Sequence, residues 1–362
     1  MRIEGLSGPR SASAYGRNTA PPFPAEYGRR VSRVLVQGGT RFVGPFVVQR
    51  LVERGHQVTL FHRGHREPAH ASGAEHVHAD FAQLAAHVPE LAKREPDVVL
   101  DVSPGLGKGG HGVLHFAGIA RRGVVLTSMD VYRAMSVLWA VEGAEEVQPM
   151  PVSEDAQLRT ERSPDLTAQF EFDNLTVERA VAEPGAAYPV TVLRCPVIYG
   201  PLDPQRRLKD YVRRMADSRP AIVLDSRLAH HRISRGYVEN IAEAVVAAVS
   251  DDRAAGRTFN VGELEALSEA EWVRAVGTAC GWDGQVAVAD PDHLPPALQV
   301  PLPPQDLVAD TSRIREELGY TETLGREEAL RRAIEWEQEQ QSDEPPPDYT
   351  AEDAAIESLN LR

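Results

Sequence analysis

Residues 38–44 read Gly-Gly-Thr-Arg-Phe-Val-Gly, a spacing suited to holding a phosphate group. Glycine adopts backbone conformations closed to other residues, and it lets an anion approach main-chain N–H groups closely. The short apolar run Val34 to Val36 precedes these glycines, and residues 42–54 have helical spacing with Pro45 in the first turn. The sequence therefore predicts a strand, a tight turn and a helix whose first N–H groups bind the pyrophosphate of a dinucleotide.

The end of the second predicted strand, residues 58–61, indicates which dinucleotide is bound. An NAD-binding protein usually carries Asp or Glu there for the ribose 2′-hydroxyl, whereas this chain continues with His62 and Arg63. A cation favours a 2′-phosphate, and the guanidinium of Arg41 is placed to reach the same group. The expected cofactor is NADP(H), with NAD as the alternative. The other interpretation makes Arg63 and Arg66 solvated loop charges.

Composition limits the remaining choices. The chain has 362 residues and a formal net charge of −14, but residues 335–355 are rich in acids and contain no base, so the rest is only mildly acidic. This balance does not favour nucleic acid or an anionic membrane as a partner. Cys195 and Cys280 indicate no disulfide framework, which fits a reducing cytoplasm. No apolar run is long enough to span a membrane, and the first 30 residues have no secretory apolar region.

These patterns divide the chain into four parts. Residues 1–32 are expected to be a disordered leader, with an organelle transit peptide as the alternative. Residues 33–200 are expected to form the NAD(P)-binding domain, and residues 201–340 a substrate-binding lobe partly interleaved with it. Residues 341–362 are proline-rich and acidic, so we expect a disordered tail.

Two further segments of the predicted nucleotide domain could bear on chemistry. Residues 104–112 contain five glycines after a buried strand, which suits either a flap over the nicotinamide or a flexible connector. His76 and His78 alternate along a strand with no cysteine or carboxylate cluster at ligand spacing. No metal site is predicted.

The motif from Gly38 to Gly44 resembles the extended or atypical branch of the short-chain dehydrogenase/reductase superfamily, known for nucleotide-sugar epimerases and dehydratases. Within that branch, Arg41 and the ending Phe-His-Arg-Gly at 61–64 are similar to chloroplast stem-loop-binding proteins and to bacterial NAD-dependent epimerase/dehydratase proteins. The likeness covers about residues 33–338. It implies an α/β fold with a Rossmann-type doubly wound parallel sheet and a smaller C-terminal α/β substrate lobe. The implied cofactor-binding residues are Gly38, Gly39, Thr40, Arg41, Phe42, Val43, Gly44, Arg63, Asp80 and Ser103.

The resemblance also points to a catalytic serine. Residues 127–132 resemble the family segment Ser-Ser-x-x-Val-Tyr, which gives Ser128 the role of hydrogen-bonding the reacting oxygen of the substrate. The alternative is that Ser128 only caps the end of a strand.

The usual Tyr-x-x-x-Lys pair of the superfamily is missing. The helix expected to carry it reads Phe-Glu-Phe-Asp-Asn-Leu-Thr from residue 170, so phenylalanine lies near the tyrosine position and Asn174 or Thr176 near the lysine. Phenylalanine cannot exchange a proton, and Asn or Thr supplies no positive charge. The candidates for the acid–base role are Asp173 first, then Asp130, Tyr132 and His111, and the alternative for Asp173 is an ordinary helix-surface acid.

Residues 191–201 resemble the family segment at which the chain crosses to the substrate lobe. Residues 230–240 then resemble the arginine-containing approach to a Tyr-Val-Asp-Asp sequence in nucleotide-sugar enzymes, where the arginine holds a substrate diphosphate. Arg232 and Arg235 lie near that position. Each could instead form a salt bridge, to Glu239 or to another acid.

The leading hypothesis is an NADP(H)-dependent epimerase, dehydratase or reductase, an oxidoreductase-like enzyme acting on a nucleotide-linked or phosphorylated sugar or a similar polyol. Its partner would be that small molecule, and a homodimer is left open. The first alternative is a non-catalytic NADP(H)-binding sensor or scaffold, motivated by the absent Tyr and Lys. The second is RNA binding, by analogy with the stem-loop-binding proteins.

Overall fold

The computed structural model describes residues 31–65, 73–102, 112–144, 146–161, 173–340, 345 and 347–361. Its strands are β1 (Arg33–Gln37), β2 (Gln57–His62), β3 (Glu75–His78), β4 (Val98–Asp101), β5 (Arg122–Ser128), β6 (Val190–Cys195), β7 (Val197–Tyr199), β8 (Ala221–Asp225), β9 (Arg235–Tyr237), β10 (Thr258–Asn260) and β11 (Gln285–Ala289). Its α-helices are α1 (Val43–Glu53), α2 (Leu84–Ala92), α3 (Arg133–Leu138), α4 (Asn174–Ala182), α5 (Lys209–Ala216), α6 (Ser226–His230), α7 (Val238–Ser250), α8 (Glu269–Cys280), α9 (Ser312–Leu318), α10 (Arg326–Glu339) and α11 (Thr350–Ser358).

A seven-stranded sheet in the order β10-β6-β5-β4-β1-β2-β3 organises the fold. Every neighbouring pair in it is parallel. The strand order reverses between β1 and β4, and in open parallel sheets that reversal opens a ligand crevice at the carboxyl ends of the strands. The α/β fold with a doubly wound parallel sheet, expected from the sequence, is confirmed.

Helices cover both faces of this sheet, as its continuously apolar strands require. On one face, α1 packs through Val47, Val48 and Leu51, which are fully buried. Arg50 on α1 also donates to Glu239 and Glu243 of α7, at 2.8 and 2.6 Å. The opposite face is covered by α2 and α4 in a second apolar cluster.

Residues 201–340 do not form a separate body of chain. They contribute β10 to the edge of the main sheet and α7 to the layer beside α1. They also form the small parallel pair of β11 with β8, and their β9 pairs in parallel with β7 of the preceding segment. The predicted substrate lobe and the nucleotide domain therefore share one hydrophobic core.

The expected disorder of residues 341–362 needs correction. Within this segment α11 is helical, and its Ala355 is fully buried in a cluster with Val223 of β8. The Arg214 guanidinium donates to the Glu352 carboxylate at 2.6 Å. The acidic composition hid the helix because its acids are paired with arginines of the folded part. Of the predicted leader, residues 1–32, all but the last two residues lie outside the described residues.

Candidate active site

The turn after β1 brings two glycines into direct contact. Gly38 has φ 83°, the left-handed conformation in which glycine is favoured. A Cβ on Gly44 would lie 2.6 Å from the carbonyl carbon of Gly39, and a Cβ on Gly39 would lie 2.6 Å from Leu60 Cδ1. Only glycine at both positions lets α1 begin this close to the strand, which is the close packing that the sequence predicts.

The start of α1 is open to an anion. Phe42 precedes the helix with φ 48° and ψ −108° and provides no side-chain cap for it. Backbone strain of this kind clusters at functional turns. The Thr40 N–H donates to the Gly38 carbonyl at 3.0 Å, which tightens the turn, and Val43 is buried as the first helical residue.

Two cations, on Arg41 and Arg63, follow the carboxyl ends of β1 and β2. Arg41 is exposed in the turn, and Arg63 is exposed immediately after β2. Neither guanidinium has a hydrogen bond or ion pair in the part of the chain that the structure describes. Both therefore remain available to an anionic ligand. Ser103 and Arg66 lie outside the described residues.

Asp80 follows β3 at the same edge of the sheet and is exposed. Its Oδ1 accepts the N–H of Ala82 at 2.8 Å and so caps the short turn that follows. This cap fixes the carboxylate in position. The close approach of Gly39 and Gly44 brings the turn against the first N–H groups of α1, an arrangement that fits the pyrophosphate of a dinucleotide. Arg41, Arg63 and Asp80 follow the carboxyl ends of β1, β2 and β3 beside it.

Ser128 and Asp130 form the second group of polar side chains, at the carboxyl end of β5. The Ser128 Oγ accepts the N–H of Asp130 at 3.2 Å. Among the described residues, no acceptor takes the Ser128 hydroxyl hydrogen, so this hydrogen can be donated to a ligand. Both residues are partly exposed, unlike the buried strand behind them.

The Asp130 carboxyl has unequal surroundings at its two oxygens. Its Oδ2 accepts from the Asn174 amide at 2.9 Å, while its Oδ1 has no hydrogen-bond donor in the described part. Burial raises the pKa of Asp130 to about 6, against the lowering effects of Asn174 and of Arg159, whose Nη2 lies 3.7 Å away. Asp130 can therefore carry or release a proton near neutral pH.

Asp173 has a different environment from the one its acid–base assignment requires. It is buried directly before α4, where its Oδ1 accepts the Leu175 N–H at 3.0 Å and caps the helix. Both of its carboxylate oxygens also receive the guanidinium of Arg159. The geometry supports neither the proton-exchanging role nor the surface-acid alternative for Asp173, and it favours Asp130. The other candidate, His111, lies outside the described residues, as do Phe170 and Phe172.

Tyr132 is likewise part of the interior. Its hydroxyl donates to Asn260 Oδ1 at 2.6 Å and accepts from Arg194 at 2.9 Å. Burial raises the pKa of Tyr132 to about 12, which opposes proton exchange near neutral pH. Arg194 also pairs with Glu178, which receives the Thr127 hydroxyl at 2.8 Å. This network fixes the end of β5, which carries the candidate serine. The role of Tyr132 in it is structural.

The two arginines predicted to bind a substrate diphosphate are paired with acids on α8. Arg235 is buried, pairs with Glu269 and lies with its guanidinium carbon 4.6 Å from the centre of the Trp272 ring. Arg232 is less buried and pairs with Glu271 at 3.1 Å. The salt-bridge alternative describes both side chains, although the partners are these acids and not Glu239.

Residues 34–262 match the sequence pattern of the NAD dependent epimerase/dehydratase family. The chain belongs to that family. A curated relative, the "Chloroplast stem-loop binding protein of 41 kDa b, chloroplastic" of Arabidopsis thaliana, is 38% identical over 79 residues. That match spans 21% of this chain and 21% of the relative, so the two are comparable over about a fifth of their lengths.

Solved structures similar to this family member share its fold. A putative epimerase from Burkholderia cenocepacia is 18% identical, with 86% of this chain and 99% of that one covered and a TM-score of 0.66. UDP-glucose 4-epimerase from Thermotoga maritima, solved with UDP-glucose, is 17% identical over 84% and 98%, with a TM-score of 0.63. UDP-glucose-4-epimerase from Stenotrophomonas maltophila, with bound NAD and formylated UDP-arabinopyranose, is 16% identical over 85% and 98%, with a TM-score of 0.61.

Two features of the site were not predicted from the sequence of this epimerase/dehydratase family member. Arg159 contacts Asp173 across a separation of 14 residues, in a part of the chain with no recognisable motif. His62, His76 and His78 come from two strands, and their nitrogen atoms lie close enough together to hold a metal ion. Pairing β2 with β3 in register before judging the histidines would have found this group.

No helix among the described residues is long and apolar enough to cross a membrane.

Proposed function

We propose that this chain binds NADP(H) and catalyses an epimerase, dehydratase or reductase type of reaction on a nucleotide-linked or phosphorylated sugar or a similar polyol. The observation that carries the proposal is the juxtaposition of Ser128 and Asp130 at the end of β5, where the Asp130 main-chain N–H donates to Ser128 Oγ. The Ser128 hydroxyl can donate a hydrogen bond, and the Asp130 carboxyl can exchange a proton. Ser128 is the last residue of β5 and Asp130 follows it, in a sheet whose crevice would hold the dinucleotide.

The cofactor would be held by the turn from Gly38 to Gly44, with its pyrophosphate at the start of α1. Arg41 and Arg63 would bind the 2′-phosphate, because both are exposed cations with no internal partner among the described residues. When bound, NADP(H) supplies the hydride acceptor or donor. The preference over NAD depends on these two arginines.

The chain's own residues would handle the proton. Ser128 would donate its hydroxyl hydrogen to the reacting oxygen of the substrate and so orient that oxygen. Asp130 would take up or return the proton at its carboxyl group. The Asn174 amide holds Oδ2, and Oδ1 is buried without a donor among the described residues, so substrate binding would have to open access to it. A carboxyl with a pKa of about 6 can do this near neutral pH without the usual tyrosine and lysine.

Two further points support a sugar-like substrate. Relatives of the same fold are named as UDP-glucose 4-epimerases, and one was solved with UDP-glucose. Arg232 is the less buried of the two candidate arginines and could exchange its contact with Glu271 for a substrate phosphate.

A cytoplasmic location is proposed because both cysteines are free thiols. A homodimer is retained as a proposal on the family resemblance.

A fluorescence titration with NADPH and NADH tests the cofactor assignment. Removing one charge-assisted phosphate contact should weaken NADPH binding by about 10- to 100-fold in Arg63→Ala and leave NADH binding within about threefold. Arg253→Ala, which removes an exposed arginine paired with Asp251 after α7, is the matched control and should change neither. Absence of NADPH binding in the wild-type chain would end the proposal.

A screen of sugar nucleotides and sugar phosphates with bound NADP⁺ tests the chemistry. Turnover should fall by about 100-fold or more in Ser128→Ala and in Asp130→Asn, while NADPH affinity stays unchanged. A non-catalytic NADP(H)-binding sensor is the second candidate, favoured by the missing Tyr and Lys. It would be supported by tight NADPH binding with no turnover of any tested sugar or carbonyl compound.

A further inference from the structure

Three histidines meet at the carboxyl ends of β2 and β3, a group the proposed function does not use. In the parallel pairing, His62 lies directly opposite His78, and Leu60 lies opposite His76. Because successive side chains of a strand point to opposite faces, His76 and His78 share a face with each other and with His62. Val77 between them faces the other way, into the apolar cluster below.

The three rings are in contact. The His62 Nε2 and His76 Nδ1 atoms are 2.9 Å apart. The rings of His62 and His78 are edge to face with centres 4.6 Å apart, and those of His76 and His78 are 6.0 Å apart. One nitrogen from each of the three rings lies within 4.8 Å of the others.

We propose that His62, His76 and His78 bind one divalent first-row transition-metal ion of the Zn²⁺ type through three imidazole nitrogens. Nitrogen donors about 2.0–2.1 Å from a tetrahedral ion lie about 3.3 Å from one another, so the cluster reaches that geometry through small ring rotations. Imidazole is a preferred ligand of Zn²⁺, Cu²⁺ and Ni²⁺, whereas Ca²⁺ and Mg²⁺ prefer oxygen ligands. The absence of a carboxylate from the group favours the first set of ions.

Burial around the cluster falls from one histidine to the next. His62 is buried, His76 is half-buried and His78 is exposed. The ion would be anchored against the sheet on one side and would face water on the other. Such an ion would have three protein ligands and a fourth position open to water. Closed structural sites have four protein ligands, so this arrangement is that of an accessible metal site.

The backbone after β2 holds His62 in the orientation that it has without a metal ion. The Gly64 N–H donates to His62 Nδ1 at 3.3 Å, which fixes the ring orientation. With that bond in place, the His62 Nε2 carries the hydrogen and donates it to His76. Metal binding at Nε2 would move the hydrogen to Nδ1, so the Gly64 contact must open. Gly64 has φ 75° and lies against the His78 ring, and its glycine backbone can make that adjustment.

Cobalt(II) is the probe for the test, because its visible absorption reports the ligand geometry. The full-length chain, purified without a histidine tag and dialysed against chelator, should bind about one equivalent of Co²⁺ with a tetrahedral spectrum, and Zn²⁺ should displace it. His78→Gln replaces an exposed ligand and His76→Gln a half-buried one, and both variants should keep the wild-type far-UV circular dichroism spectrum. Each should weaken Co²⁺ binding by at least about tenfold.

The control variants separate this site from other histidines. His65→Gln removes an exposed histidine close in sequence, and His293→Gln removes one far along the chain. Both should retain the wild-type Co²⁺ affinity, and Arg63→Ala should retain it too, whatever happens to NADPH. Absence of a tetrahedral spectrum in the wild-type chain, or equal binding in the His76→Gln and His78→Gln variants, would overturn the proposal and leave the histidines as a hydrogen-bonded group.

Discussion

The Arg159 guanidinium meets the Asp173 carboxylate side by side, with Arg159 Nη1 donating to Asp173 Oδ2 at 2.9 Å. Both side chains are almost completely buried. The same arginine donates to the main-chain oxygens of Asp130 and Glu161, each at 2.6 Å. Asp173 therefore helps to fix the backbone at Asp130 through Arg159, and its negative charge is paired with that arginine.

Removing that charge should destabilise the fold. Asp173→Asn removes the carboxylate that is hydrogen-bonded to the buried Arg159 and leaves Asp130, 3.7 Å away, as its remaining acid partner. Breaking a buried pair in this way costs about 3–5 kcal/mol. Urea denaturation measures the loss. Asp155→Asn is the control, since it breaks an ion pair whose acid is exposed, and it should change the free energy of unfolding by less than about 1 kcal/mol. A stable Asp173→Asn protein that had lost only turnover would restore Asp173 as the acid–base group.

Asp130 should give stability a pH dependence of its own. Its pKa of about 6 lies above the ordinary value of 3.8, so between these values the folded chain binds more protons than the unfolded chain. This group's contribution to the free energy of unfolding is therefore lost as pH rises through that window. Subtracting the stability curve of Asp130→Asn from that of the wild type isolates the contribution of Asp130. Acids with a lowered pKa, such as Asp225 and Glu328, are common to both proteins and cancel. A flat difference curve would contradict the assignment.

The pH dependence of turnover should also report the ionisation of Asp130. If Asp130 acts as the base, its deprotonated form is the active one, and kcat/KM rises with pH through about 6. The residual activity of Asp130→Asn should lack that limb. A profile that keeps the limb in the variant would assign it to another residue.

Gly44→Ala tests the contact between the two packed glycines. The new Cβ would lie within 2.6–2.9 Å of Gly39 backbone atoms, which cannot move aside as a flexible side chain would. We expect a loss of about 1–3 kcal/mol in the free energy of unfolding together with weaker NADPH binding. Gly262→Ala, whose Cβ would meet nothing nearer than 3.4 Å, should leave both unchanged. Equal behaviour of the two variants would mean that α1 does not need this approach.

Two alanines of α11 give a matched pair for the C-terminal helix. Ala355 is fully buried and Ala354 is exposed. Ala355→Asp places an unpaired charge in the contact with β8 and should cost about 2 kcal/mol or more. Ala354→Asp makes the same change in helix propensity at an exposed position of the same helix and should cost less than about 1 kcal/mol. Thermal unfolding compares the two, and similar melting temperatures would mean that α11 detaches freely.

The local parts of the fold could be predicted because their causes are local. The turn after β1 needs glycine at adjacent positions, and the apolar strands and helical spacing around it are visible in a short window. That information also led to the sheet and to the family. The pairing of Arg159 with Asp173 is decided by tertiary packing, and so is the register that brings His62 opposite His78. Composition misled at α11, because its acids were judged without the arginines they contact.

The placement of β10 at the edge of the sheet, beside β6, means that the nucleotide-binding half cannot be cut off at residue 200. A fragment ending there would lose α7 as well, exposing the apolar side of α1 and a row of unpaired main-chain groups on β6. We expect such a fragment to self-associate through the unpaired edge of β6. The gene must therefore be expressed whole, and any split reporter or tag insertion belongs in the surface loops and not at the apparent boundary between its halves.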